Sequence, residues 1–303
     1  MPQRFHGIFA LLLVTIVWGT TFPAMKELSG YFSAAWIIFI RFCIAALLLS
    51  PFLLRAEKRD LKLGFKLGCV LFLSYVFQIE GLALTSANRN AFICGMNILV
   101  VPVFGMLAGR WPERRIVLAT GLSVLGLFAL CWDGGSWTFG DSLAFGAALT
   151  FGLYVFMLER YSRQASNTFR LTAVQITLIA LFAGVWQLAS GGSGTHAGGV
   201  PGAGNAIEGV RLHFYNLLYL GVVATAAIIS LQVWGQKRTS ANEAAIIYSF
   251  EPACAAVAAY FWIGETMTLR SMLGAALVVV GLIVSQWQPR KALEPAGVVP
   301  QAD

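Results

Sequence analysis

The chain has 303 residues, of which 58% are hydrophobic and only 12% charged, with mean hydropathy +0.73. Soluble domains carry about 25% charged residues, so a water-solvated globule is excluded and the outer surface is expected to face lipid. The formal net charge of +7 would suit nucleic acid, but the basic residues fall in short segments between apolar runs. That pattern orients membrane helices, and no nucleic-acid partner is expected.

Apolar runs of about 20 residues match the hydrocarbon thickness of a bilayer, and helices satisfy their own backbone polar groups there. The chain predicts ten transmembrane helices, at about 7–27, 33–54, 63–84, 88–109, 114–132, 139–161, 167–189, 212–235, 241–263 and 268–287. The first run is too long for a signal-peptide core and no small-residue cleavage site follows it, so it is expected to stay as a span. Residues 190–209 are rich in glycine and read as a flexible external loop, with His196 a solvated loop residue. Cys43, Cys69, Cys94, Cys131 and Cys254 all lie within apolar runs without metal-ligand spacing, so they read as buried thiols. Neither a metal nor a cofactor is expected. With the N-terminus inside, sixteen of the 21 lysines and arginines fall on the inner side and four on the outer, with Arg41 inside a span. This predicts both termini in the cytoplasm of a cell whose inner (plasma) membrane the chain crosses.

One unit is used twice. Thr-Ser-Ala-Asn occurs at Thr85–Asn88 and again at Thr239–Asn242, each preceded four residues earlier by a glycine, Gly81 and Gly235. The offset is 154, and it becomes 155 between Val124–Leu127 and Val279–Leu282. The repeat divides the chain into residues 7–132 and 139–287, five spans each. An odd number of spans inserts the halves upside-down relative to each other, the arrangement of transporters whose substrate site lies near the midplane.

Polar residues within spans are costly and are candidates for function. Glu251 sits about ten residues into the ninth span, and its partner at offset 154 is Asn97, also mid-span. Glu251 reads either as a substrate or proton site or as a structural carboxyl bonded to neighbouring helices. Pro252 beside it removes a backbone donor and loosens the helix. Gln78 and Gln232 are equivalent at the same offset; each reads as a ligand for a zwitterionic or hydroxylated solute, or as interhelical glue. Arg41 and Glu80, both in the outer half, are expected to pair as a structural or gating contact. Trp18, Thr20, Thr21, Tyr154 and Tyr248 supply an aromatic and hydroxyl lining suited to apolar or cationic solutes. No Walker A pattern occurs, so no built-in ATPase is expected.

Trp18-Gly19-Thr20-Thr21-Phe22, Arg41-Phe42 with Ala45-Ala46, Pro102, Glu251-Pro252, Gly264-Glu265 and the glycines Gly274 and Gly281 follow one another in an order that resembles the drug/metabolite transporter superfamily, specifically the ten-helix exporters with two EamA repeats. The resemblance covers residues 7–287. It implies an inner-membrane exporter of amino acids, related amines or drugs, with a cavity lined by spans one, three, four, six, eight and nine. It also implies secondary active transport by alternating access, driven by protons or by the substrate's own gradient. The first repeat departs from the family at Gly109–Glu113, where Gly-Glu is usual. Two other classes stay open: a facilitator for nucleotide-sugar-like solutes, and an intramembrane enzyme, which the scattered His6, His196 and His213 disfavour.

Overall fold

The computed structural model describes residues 2–29, 31–85, 87–132, 136–189, 206–263 and 268–287. Every regular element among them is helical: α1 (Pro2–Ser29), α2 (Ala34–Leu53), α3 (Lys58–Leu84), α4 (Ala87–Gly95), α5 (Asn97–Leu107), α6 (Arg114–Cys131), α7 (Phe139–Gln164), α8 (Thr168–Ala189), the short α9 (Ala206–Leu212) and α10 (Phe214–Leu218), a π-helical stretch Tyr219–Ala227, then α11 (Ile228–Gln236), α12 (Ala241–Tyr248), α13 (Glu251–Ile263) and α14 (Leu269–Gln286). Nine helical segments among the described residues are long and apolar enough to cross a membrane. The predicted ninth span is present as α12 and α13, split at Ser249–Phe250. Every predicted span thus has a helical counterpart, and the chain is an all-α multi-pass membrane protein.

Local chemistry sets several helix starts. Thr138 caps α7 reciprocally with Asp141, and Ser240 caps α12 reciprocally with Glu243, the S/T-x-x-acid arrangement that satisfies two orphan donors at once. The third span begins at Lys58, five residues before the apolar run, because Glu57 and Asp60 cap a basic first turn. Residues 206–209, expected in the glycine-rich loop, belong to α9; the remainder of that loop, with His196, lies outside the described residues, as do Gly264 and Glu265. Gly109, where the first repeat departs from Gly-Glu, has φ 76° and lets Arg110 N–H close a tight turn onto Gly105 O at 2.8 Å.

The packing has a regular plan. α6 lies along α14 and α2 along α8. α1 packs against α11 and α13, while α7 packs against α3, α4 and α5. Each contact has a counterpart when five is added to or subtracted from the span numbers. The closest backbone approaches obey the same rule. A Cβ on Gly7 would lie 2.9 Å from Gly235 O, and one on Gly81 would lie 3.1 Å from Gly140 O. One on Gly19 would lie 2.6 Å from Cys254 Cβ, and one on Gly152 would lie 2.7 Å from Val100 Cγ1. One on Gly126 would lie 2.7 Å from Gly274 O, and one on Gly281 would lie 2.8 Å from Ala119 O.

Small residues at such crossings let helix backbones meet where lipid gives no hydrophobic drive for association. Gly274→Val is therefore expected to destabilise the α6–α14 seam by about 2–3 kcal/mol, because its Cβ would sit 2.5 Å from Leu130 N. The measurement is the melting temperature in detergent, with Gly121→Ala as control: nothing lies within 4 Å of a Cβ there.

Candidate functional site

The fourth and ninth predicted spans are both interrupted, at Met96 and at Ser249–Phe250. The residue that restarts the helix is Asn97 in one and Glu251 in the other, separated by the repeat offset of 154. An interrupted span exposes backbone groups and helix ends at depth, where irregular backbone is tolerated only against protein or a cavity. Pro252 is the second residue of α13, so its missing N–H falls in a first turn, where it is tolerated.

Asn97 is buried; its Nδ2 donates to Cys94 O at 2.9 Å, and its Oδ1 has no hydrogen-bond partner among the described residues. Glu251 is only partly buried and makes no hydrogen bond or ion pair among the described residues. The side chains of Tyr75, Cys94, Tyr248 and Cys254 lie within Coulomb range of its carboxylate. A buried polar atom without a partner needs an explanation; Asn97 Oδ1 is one, and the carboxylate of Glu251 stands at the position related to it by the offset of 154.

Aromatic rings wall this region. Trp18 contacts Tyr248 at 5.6 Å between centroids and Phe151 at 6.2 Å, and Phe151 meets Tyr248 at 6.0 Å and Tyr154 at 5.9 Å. Gly19 and Gly152, the residues after Trp18 and Phe151, bring α1 against α13 and α7 against α5, so the two rings meet at the junction of the halves. Tyr248 OH donates to Gln236 Oε1 at 3.2 Å, and Gln236 Nε2 donates in turn to Val155 O. Tyr154 is fully buried with its hydroxyl on Gln175 Oε1 at 3.0 Å, a packing role beneath the wall. Thr21 spends its hydroxyl on Trp18 O of its own helix at 2.7 Å, and Thr20 shares a 2.5 Å contact with Tyr219 OH.

Of the residues singled out from sequence, Trp18, Tyr248, Glu251 and Asn97 gather here. Gln232 is buried nearby in α11. Gln78 is half-buried, and its backbone carbonyl accepts from Asn90 Nδ2 at 3.2 Å. The expected Arg41–Glu80 pair is absent. Arg41 Nε instead donates to Thr225 Oγ1 at 2.9 Å, and its guanidinium sits 5.8 Å from the Tyr75 ring centroid. The π winding puts Thr225 there: its hydroxyl donates five residues back, to Leu220 O at 2.7 Å.

Both ends of the bundle are tied by charges. At one end Glu243, starting α12, meets Arg4 of α1, with Arg115 of α6 at 3.4 Å; Arg115 also donates to Ser285 O at 2.7 Å. Glu159 of α7 accepts from Ala241 N at 3.1 Å and lies 3.4 Å from Arg163, which donates to Thr239 O at 3.1 Å. At the other end Arg89 of α4 pairs with the fully buried Asp141 of α7 at 2.9 Å, and Thr85 Oγ1 donates to Asp141 Oδ1 at 2.8 Å. Arg89 and Glu243 occupy the same place in the repeat. Sequence reading overlooked both end clusters, as well as Tyr75 and Phe151, although residues 89 and 243 directly follow the duplicated Thr-Ser-Ala-Asn.

Comparison with known proteins agrees with this architecture. Two chains of Archaeoglobus fulgidus, each named an uncharacterized transporter, are similar to it. One is 29% identical over 93% of this chain and 86% of its own length, the other 25% identical over 92% and 96%. The uncharacterized transporter YdfC of Bacillus subtilis is 23% identical over 88% of this chain and 86% of its own. A solved crystal structure superposes with a TM-score of 0.75 at 15% identity, covering 94% of this chain and 98% of that one, and shows the fold alone. The profile of the EamA-like transporter family matches twice, at residues 5–132 and 138–286. A match of that extent, on a bundle with two equivalently interrupted spans, places the chain in the EamA-like transporter family: it is a multi-pass membrane transporter.

Proposed function

We propose that this transporter exports small amine-bearing metabolites, amino acids or related amines and drugs, by alternating access between two inverted five-helix halves, with both termini in the cytoplasm. The observation that carries the reading is the pair Asn97 and Glu251, each restarting an interrupted span at the same place in the repeat. Interrupted spans whose helix ends and freed backbone groups meet at mid-membrane are the usual substrate sites of inverted-repeat transporters. A carboxylate without a hydrogen-bond or ion-pair partner among the described residues, near Tyr75 and near Tyr248, which Trp18 contacts, suits an ammonium group through charge and cation–π attraction. It does not suit an anionic sugar nucleotide, and the nearby cation, Arg41, is already held by Thr225.

In this cycle Glu251 holds either a proton or the substrate's ammonium, so each would expel the other. The charge clusters around Glu243 and Asp141 act as the two closures, one opening while the other holds. The test is counterflow in proteoliposomes with a panel of labelled amino acids, polyamines and phosphorylated sugars. Exchange of at least one ammonium-bearing solute is expected, with none of the phosphorylated ones. Exchange confined to phosphorylated solutes would overturn the proposal in favour of an anion facilitator.

A further inference from the structure

The start of α3 and the end of α7 flank an open cavity of about 380 Å³ lined by Arg59, Lys62, Leu63, Lys66, Arg160, Tyr161 and Gln164. It lies at the end of the bundle where α7 finishes, and neither Asn97 nor Glu251 lines it. We propose that it binds the headgroup of an anionic phospholipid from the surrounding leaflet.

The charges are arranged for an external anion. Arg59, Lys62 and Lys66 follow one another at i, i+3 and i+7 and so share a face of α3, while Arg160 and Gln164 reach in from one turn of α7. None of the four cations makes an ion pair among the described residues. The acids of this end are engaged elsewhere. Glu57 accepts from Ser166 Oγ at 2.7 Å and Arg170 at 2.6 Å, which hold its carboxyl below the ordinary carboxylate range. Asp60 accepts from Ser166 N at 2.9 Å, and Glu159 from Ala241 N at 3.1 Å. Arg59 stays within Coulomb range of Glu57, so Lys62, Lys66 and Arg160 carry most of the uncompensated charge. Lys66 Nζ is steadied 5.9 Å above the Tyr161 ring.

A second observation separates a lipid from a free anion. The same two turns of α3 turn Leu61 and Phe65 outward, 45% and 53% exposed, beside the basic cavity. A lipid seated with its phosphate on the cations would lay its acyl chains over these side chains, joining electrostatic and apolar contributions. A soluble phosphate would use only the first.

The experiment takes the purified full chain in neutral detergent and follows phosphatidylglycerol retention by native mass spectrometry. Phosphatidylcholine and water-soluble glycerol phosphate are run beside it. Retention of phosphatidylglycerol is expected, with neither of the others held, and Lys62→Gln/Lys66→Gln/Arg160→Gln is expected to weaken it about a hundredfold. If the triple variant does not fold, Lys66→Gln alone carries the test, with a loss of about fivefold; Arg55→Gln, outside the cavity, should leave retention unchanged. Undiminished retention in the folded variant, equal retention of phosphatidylcholine, or equally tight binding of glycerol phosphate would each overturn the proposal. None of these outcomes bears on the amine-export reading, which counterflow tests separately.

Discussion

Glu251→Gln is expected to cut transport of an ammonium-bearing solute about a hundredfold per folded molecule, the factor carried by a charge-assisted contact of roughly 2–3 kcal/mol. Glutamine keeps the volume and the hydrogen-bonding reach but neither attracts a cation nor takes up a proton. Asn97→Ala is expected to lower transport as well, because it removes the unpartnered Oδ1 from the equivalent point of the other half. If Glu251 also carries the exchanged proton, the pH dependence of uptake should vanish in the glutamine variant. A carboxyl that merely supports the scaffold would behave otherwise: expression and melting temperature would fall while transport per folded molecule stayed near normal. Normal specific transport with a normal pH profile in Glu251→Gln would remove this residue from the site.

Asp141→Ala is expected to be the most destabilising single change at either end, costing about 3 kcal/mol. It takes from the Arg89 guanidinium, whose side chain is only 7% exposed, its counter-ion, leaving it Ser136 O at 2.7 Å and the Trp132 ring, and it removes acceptors from Thr85 Oγ1 and from Thr138 N at 2.6 Å. Breaking a buried pair by removing one partner leaves an uncompensated charge, which costs more than the pair was worth. The double variant Arg89→Met/Asp141→Ala should recover part of the loss, since it leaves no buried charge without its counter-ion. Melting temperatures of the two variants in detergent decide the matter. If the double variant were as unstable as the single one, the helix cap, rather than the lost counter-ion of Arg89, would be the source of the loss.

The ten spans were legible because lipid enforces length and apolarity on every one of them. Asn97 and Glu251 were legible as a pair because the duplicated Thr-Ser-Ala-Asn sets the offset of 154 within the span they occupy. Trp18 and Phe151 were not. They, like Gly19 and Gly152, are related by an offset of 133, and the difference of 21 arises between the sixth and eighth spans, a stretch that contains the glycine-rich segment at 190–209. An aromatic followed by glycine is too slight a signal to reveal that shift; the mutual approach of the helices reveals it. The Arg41–Glu80 expectation failed because charge and depth alone favoured it, whereas the partner that Arg41 takes depends on how the Tyr219–Ala227 stretch is wound.

That winding has a consequence for movement. A stretch bonded five residues back has slack that an α-helical turn lacks, and such stretches concentrate at functional sites. Rewinding it to i→i−4 bonding would swivel everything beyond it, Gln232 and Gln236 included, about the helix axis without lengthening any loop. Thr225, whose hydroxyl donates to Leu220 O and accepts from Arg41, lies within the stretch that would rewind. The eighth span can thus serve as a screw thread, turning a local change of pitch beside the aromatic wall into rotation of Gln236, whose side chain holds the Tyr248 hydroxyl.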